Sequence, residues 1–257
     1  MGDLGWIDSH AHLVDESLWE HVDDVIAEAQ KHQVNKIMSI STSIDEAVMN
    51  LSLCQKYGMI DIAVGFHPSD ARVIKKQDLD QLKTLIENET ILAIGEIGLD
   101  YYWDKEFIVQ QKELFIYQIE LANTYKKPVI IHNRESTQDV LDILKQHPAK
   151  YGGVMHCYSG SVEMAYEFIK QNMYISFAGP LTFKNARVPK EVALAVPVER
   201  LLIETDSPYL TPHPFRGKQN QPAYVSYIGK ELSRIKEIPQ DELKRLLTIN
   251  YKVLFSQ

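Results

Sequence analysis

The chain has 257 residues, 45% of them hydrophobic and 24% charged, with a formal net charge of −8. That composition is globular and excludes collagen, coiled coil and disorder, and a single (β/α)8 barrel of about 250 residues would use the whole length. The acidic balance argues against a protein that coats a polyanion through a basic stripe, but not against an enzyme that meets nucleic acid through bound metal.

In chain order, the opening Met1-Gly2-Asp3-Leu4-Gly5-Trp6 lacks the basic and apolar stretches of a secretory leader. No apolar run approaches the roughly 18 residues of a membrane span. The two cysteines, Cys54 and Cys157, form no metal or redox spacing. The expectation is reduced thiols, a cytoplasmic location and no membrane association. Eight short β-branched runs then recur at residues 6–10, 35–41, 61–66, 91–96, 128–132, 153–156, 173–177 and 200–205. They are continuous apolar strings, as in parallel strands buried on both faces. Helical periodicity fills the gaps at 17–33, 43–57, 77–89, 135–147, 161–171, 185–196 and 222–236. In the longest intervening stretch Phe107, Leu114 and Leu121 fall seven apart, with Ile108, Phe115 and Ala122 beside them. The tail, 238–257, predicts one more helix starting near Pro239. Eightfold alternation predicts an α/β fold, a (β/α)8 TIM barrel forming one domain over 1–257 with an extra C-terminal helix. A doubly wound sheet is the runner-up, but no Gly-x-Gly-x-x-Gly follows the first run.

The chemistry lies at the carboxyl ends of these runs. The first ends in Asp8-Ser9-His10-Ala11-His12, and the fourth in Gly95-Glu96-Ile97-Gly98-Leu99-Asp100. The fifth ends in His132-Asn133-Arg134, the sixth in His156-Cys157, the eighth in Glu204-Thr205-Asp206. In a parallel barrel all these ends open on one face. Singly, His10-x-His12 is a chance pair, Glu96 a helix cap, His132 and His156 packed rings and Asp206 a turn residue. Together, buried charges and imidazoles at one end are costly unless they hold metal. Imidazoles with carboxylates and no thiolates suit Zn²⁺, Mn²⁺, Co²⁺, Ni²⁺ or Mg²⁺. The set His10, His12, Glu96, His132, His156 and Asp206 exceeds one tetrahedral shell and suits two divalent ions per chain. Glu96 is the natural bridge, with His10, His12 and Asp206 on one side and His132 and His156 on the other.

At these residues the sequence resembles the TatD family of metal-dependent deoxyribonucleases, within the amidohydrolase superfamily. The resemblance also runs through Gly65-Phe66-His67-Pro68, Cys157-Tyr158-Ser159-Gly160, Ser207-Pro208 and the Pro214-Phe215-Arg216-Gly217 to Asn220-Gln221-Pro222 loop. Glu96 stands where many amidohydrolases carry a carboxylated lysine, as is usual in the TatD-like branch. The resemblance implies a divalent-metal phosphodiesterase acting on DNA, as a 3′→5′ exonuclease preferring single strands. Some similar proteins remove D-amino acids from tRNA.

The expected mechanism is attack on phosphorus by a water that two ions acidify, with Glu96 and Asp206 as catalytic groups and Asp206 as proton acceptor. Glu204 shares the face of Asp206 and is a third catalytic candidate, as an orienting group or a direct ligand, against a structural pair. Arg134 and Arg216 are candidate phosphate clamps, against ordinary surface ion pairs. His67 is a candidate to orient substrate or protonate a leaving oxygen, against a packed ring. Tyr101, Tyr102 and Trp103 are candidates to stack a base, against loop packing. His21, His32 and His147 lie on predicted helices and receive no chemistry. With net charge −8, DNA is expected as a weakly and locally bound substrate, and a monomer is plausible. The competing readings are an amidohydrolase cutting an ester or amide, such as a D-aminoacyl-tRNA deacylase, and a non-catalytic metal-binding protein.

Overall fold

The computed structural model describes residues 4–103 and 105–256. Residues 1–3 of the opening read for a leader, Asp104, and Gln257 of the predicted tail helix lie outside them. Eight strands form one parallel sheet in sequence order: β1 (Trp6–Ala11), β2 (Val34–Ser41), β3 (Ile60–Val64), β4 (Ile91–Asp100), β5 (Val129–Arg134), β6 (Gly153–Met155), β7 (Met173–Phe177) and β8 (Leu201–Ile203). The ends of β1 and β8 then meet. His12 N–H donates to Ser207 O at 2.8 Å and Asp206 N–H to His10 O at 2.9 Å, which closes the barrel. Among the described residues no helix is long and apolar enough to cross a membrane.

The helices are α1 (Glu16–Trp19), α2 (Val22–Lys31), α3 (Ile44–Lys56), α4 (Lys76–Ile86), α5 (Ile108–Thr124), α6 (Thr137–Gln146), α7 (Val162–Lys170), α8 (Arg187–Ala195), α9 (Val225–Lys236) and α10 (Gln240–Phe255). The helix predicted over 17–33 is thus two elements. Val22, Val25, Ile26 and Ala29 give α2 a buried stripe, whereas α1 buries only Leu18. A larger difference is β4, which runs to Asp100 rather than stopping at Glu96. Its register with β5 pairs Gly98 with His132 and Asp100 with Arg134.

Two apolar layers follow from strand alternation. Ile7, Met38, Ile40, Ala63, Ile130 and Val154 point inward and pack with Tyr251, Leu254 and Phe255 of α10. The opposite faces pack under the helices, as with Phe115 of α5 and Phe168 of α7. The extra C-terminal helix therefore plugs the end where strands begin. Tyr251 donates to Asp61 Oδ2 at 2.8 Å, and Asn250 to Leu201 O at 2.8 Å.

At the other end, buried amides on the helices hold the strand termini. Gln118 of α5 accepts from Phe66 N–H at 2.7 Å and donates to Phe66 O at 3.1 Å. Gln111 does the same for Asp100, at 2.9 and 3.0 Å. Asn220 donates to Thr205 O at 2.8 Å. A buried backbone group that loses its partner costs about 1–3 kcal/mol. Gln118→Leu should therefore lower the thermal unfolding midpoint, by about 2–4 °C per kcal/mol in a chain of this size. An unchanged midpoint by calorimetry would show that the amide carries no such duty.

Candidate metal centre

Glu96 stands at the middle of the open end, only 4% exposed, and its two oxygens face different partners. Oε1 lies 2.7 Å from His132 Nδ1 and 2.8 Å from His156 Nε2. Oε2 lies 3.4 Å from His10 Nε2 and 3.7 Å from His12 Nε2. Asp206 Oδ1 completes that second group, 3.6 Å from both His10 Nε2 and His12 Nε2, which are 3.2 Å apart. All six residues expected as ligands converge on one place.

The donor set fits a cation. Tetrahedral nitrogen and oxygen ligands about 2.0–2.2 Å from an ion stand about 3.3–3.6 Å from one another. The separations of His10 and His12 from each other and from the Glu96 and Asp206 oxygens span 3.2–3.7 Å. Two facing imidazole nitrogens can share only one proton, so lone pairs remain that an ion can take. Around Oε1 the contacts are shorter and read as proton-sharing pairs, whose protons a cation can replace.

Groups around the six fix their orientation. Asp100 Oδ2 lies 2.9 Å from His132 Nε2, while its Oδ1 accepts from Tyr102 N–H at 2.9 Å and Trp103 N–H at 3.0 Å. Glu204 Oε1 lies 3.1 Å from His156 Nδ1 and accepts from Cys157 N–H at 2.7 Å. Glu204 therefore orients His156; its other oxygen, buried, has no hydrogen-bond partner among the described residues. Asp8 fastens β1 to the segment after β8, accepting from Thr205 N–H at 2.8 Å and from Thr205 Oγ1 at 2.5 Å. Burial pushes Asp8 up to about 8. Gly98 is required by close approach: a Cβ there would lie 2.0 Å from His132 O.

The charges are mutually dependent. Burial alone would raise Glu96, but His156 and His10 outweigh it and hold the carboxyl well below its usual range. Burial opposes charge on His156 too, yet Glu96 and Glu204 push it well above an ordinary histidine. His12 is raised against burial by the carboxylates of Asp206 and Glu96 beside it, and His132 by Asp100 and Glu96. His10 moves the other way, lowered by burial and by His156.

A model of the TatD-related DNase family matches residues 7–256. The chain belongs to that family. It is 45% identical to the uncharacterized metal-dependent hydrolase YabD of Bacillus subtilis, over 96% of this chain and 98% of the relative. It is 38% identical to the uncharacterized metal-dependent hydrolase YcfH of Escherichia coli K12, over 97% of this chain and 95% of that one. Among solved structures, the E. coli K12 TatD homologue YjjV superposes with a TM-score of 0.94 at 29% identity, covering 98% of each chain.

In this TatD-family chain the centre lies in a cavity of about 770 Å³. His67 and Arg134 line it beside His12, Glu96, His132, His156 and Asp206, while His10 is buried behind them. His67 Nε2 is 3.9 Å from Glu96 Oε1, and burial pushes this ring down to about 4. A neutral His67 at pH 7 can orient a group but is not a cationic acid, which corrects half of its expected role. Arg134 stacks its guanidinium 3.9 Å over the Tyr102 ring. Tyr101 requires a second correction. Its hydroxyl donates to Asp139 Oδ2 at 2.6 Å and its ring packs on the core. Trp103, 70% exposed, lines the cavity instead. Arg216 lines an adjacent cavity, not this one. Asp100 stands in the motif that ends the fourth run without being among the expected ligands. Since β4 continues, Asp100 follows Glu96 and Gly98 at the strand's two-residue spacing.

His12, His132 and His156 hold protons above the ordinary histidine range, and a divalent ion must displace them. Affinity for Mn²⁺ or Zn²⁺ should therefore rise with pH between about 6 and 8, with protons released on uptake. Calorimetry in buffers of different ionisation enthalpy measures the release. Uptake that is independent of pH and releases no protons would contradict this charge assignment.

Proposed function

We propose that the chain is a divalent-metal-dependent phosphodiesterase that hydrolyses DNA from the 3′ end, with preference for single strands. The carrying observation is the divided Glu96 carboxylate, with Oε2 toward His10 and His12 and Oε1 toward His132 and His156. Family membership and relatives named metal-dependent hydrolases support the same reading.

His10, His12 and Asp206 would hold one ion, His132 and His156 the other, and Glu96 both. Bound there, the ions would supply an acidified water and positive charge beside a phosphoryl oxygen. The chain's own groups do the rest. Asp206 lies beside His10 and His12 and is held below its usual range against burial, mainly by the His12 ring next to it. Its Oδ1 is the acceptor for the proton lost during attack. Arg134 presents a planar donor pair for a phosphate at the cavity wall, steadied by Tyr102. Neutral His67 orients the departing oxygen. Trp103 offers an exposed ring for an unstacked terminal base, which a duplex interior lacks.

One observation favours a second reading. Asp15, Glu46 and Asp70, none of them near Glu96 at ligand distance, also line the cavity. Carboxylates there suit a substrate with a free ammonium group, such as an aminoacyl ester on tRNA, cut by the same centre.

The test uses 5′-labelled single-stranded DNA with Mg²⁺ or Mn²⁺. A ladder should shorten from the 3′ end, vanish with chelator, and fall on the order of 10³-fold in Glu96→Ala. Absence of cleavage by a fully metal-loaded protein that hydrolyses aminoacyl esters would replace this reading with the second. Raising salt from about 50 to 200 mM should change KM far less than the roughly 10³–10⁵-fold typical of a protein with many phosphate contacts. A slope that steep would contradict local capture.

A further inference from the structure

Beside the metal cavity is a second one of about 470 Å³, and Pro180 lines both. Its walls carry Lys184, His213 and Arg216, with Phe183 and Asn185. Lys184 and Arg216 have no carboxylate within ion-pair distance among the described residues, whereas Lys31, Lys56, Lys112 and Arg187 elsewhere on the surface are paired. Arg216 is held in place: its guanidinium lies 4.3 Å over the Phe183 ring. The preceding Phe215 stacks on Tyr224 at 4.4 Å, and His213 N–H donates to Thr182 Oγ1 at 2.8 Å, so the loop is anchored on both sides. Ala186 and Pro189, from the start of α8, complete the wall, and the first turn of α8 has neither an acidic residue nor a side-chain cap. The positive end of that helix therefore adds to the basic side chains.

The charge of the surroundings gives a direction. Asp15, Glu46 and Asp70 line the metal cavity and repel a polyanion. The unpaired bases lie past Pro180. We propose that this second cavity binds a backbone phosphate of single-stranded DNA whose terminal phosphodiester lies at Glu96, so that the strand leaves the metal centre over Pro180. This rests on the DNA reading above. Arg216 and Lys184 are then length-sensing groups, remote from the bond that breaks, and Phe183 with Arg216 forms the platform for the adjoining sugar and base.

The test is steady-state cleavage of 5′-labelled oligothymidylates of increasing length by the Mn²⁺-loaded protein and its Lys184→Ala/Arg216→Ala variant, with binding followed by fluorescence anisotropy. For the wild-type chain KM should fall with length to a plateau. The variant should lose about tenfold in KM on long strands and less than about twofold on the dinucleotide, with kcat preserved. Its salt slope on long strands should shrink by about 0.7 for each phosphate contact removed. Both residues are exposed, so the unfolding midpoint should stay unchanged. Equal KM for both proteins at every length, or an equal loss at every length, would overturn the second site alone. Failure of the wild-type protein to bind or cleave any oligonucleotide would overturn the DNA reading together with it.

Discussion

The structure depends on one buried carboxylate shared by four imidazoles. An isolated charge at the Glu96 position would be prohibitively costly, since burial opposes its ionisation. It is tolerated because His156, His10 and His132 surround it with positive or proton-donating groups. Of these, His156 and His132 are in turn held in the charged form only because Glu96, Glu204 and Asp100 stand beside them. No member can be removed without leaving another uncompensated. A divalent ion held beside Glu96 would resolve the same imbalance with less strain on protons, and it is in this sense that the site is suited to metal.

Such a cluster holds its shape only if its supports are rigid. The hydrogen bonds between His12 and Ser207 and between Asp206 and His10 set β1 against the segment after β8. Asp8 and Thr205 fasten the same seam from within. Gln118, Gln111 and Asn220 hold the chain where it leaves the third, fourth and eighth strands. The plug of Tyr251, Leu254 and Phe255 fills the other end of the barrel with apolar side chains. Precision at the mouth thus follows from packing at the base, and binding energy is not spent on ordering the ligands.

The barrel was legible because buried parallel strands are written as unbroken apolar strings, and all eight runs correspond to strands. The six residues around the centre were legible as well, since His10-x-His12, Glu96, His132, His156 and Asp206 each end such a string. What escaped the sequence lies in tertiary structure. Asp100 is visible in the motif of the fourth run, but its bond to His132 depends on β4 continuing past Gly98, a residue that weakens a strand reading. Gln111 and Gln118 sit on an otherwise apolar stripe of α5, and a polar residue buried there was the missed signal for a clamp on a neighbouring strand. Tyr101 and Trp103 differ by two positions, and only the loop geometry shows that one packs inward while the other faces the cavity.

The central claim is that one carboxylate serves two ions. Electron paramagnetic resonance of the chain titrated with Mn²⁺ tests it most directly, because ions about 3.5–4 Å apart and sharing a carboxylate are exchange-coupled. Saturation at two ions per chain with a coupled spectrum, reduced in Glu96→Ala to isolated Mn²⁺ signals, is the expected result. A single uncoupled six-line spectrum at saturation, the same with and without Glu96, would contradict it.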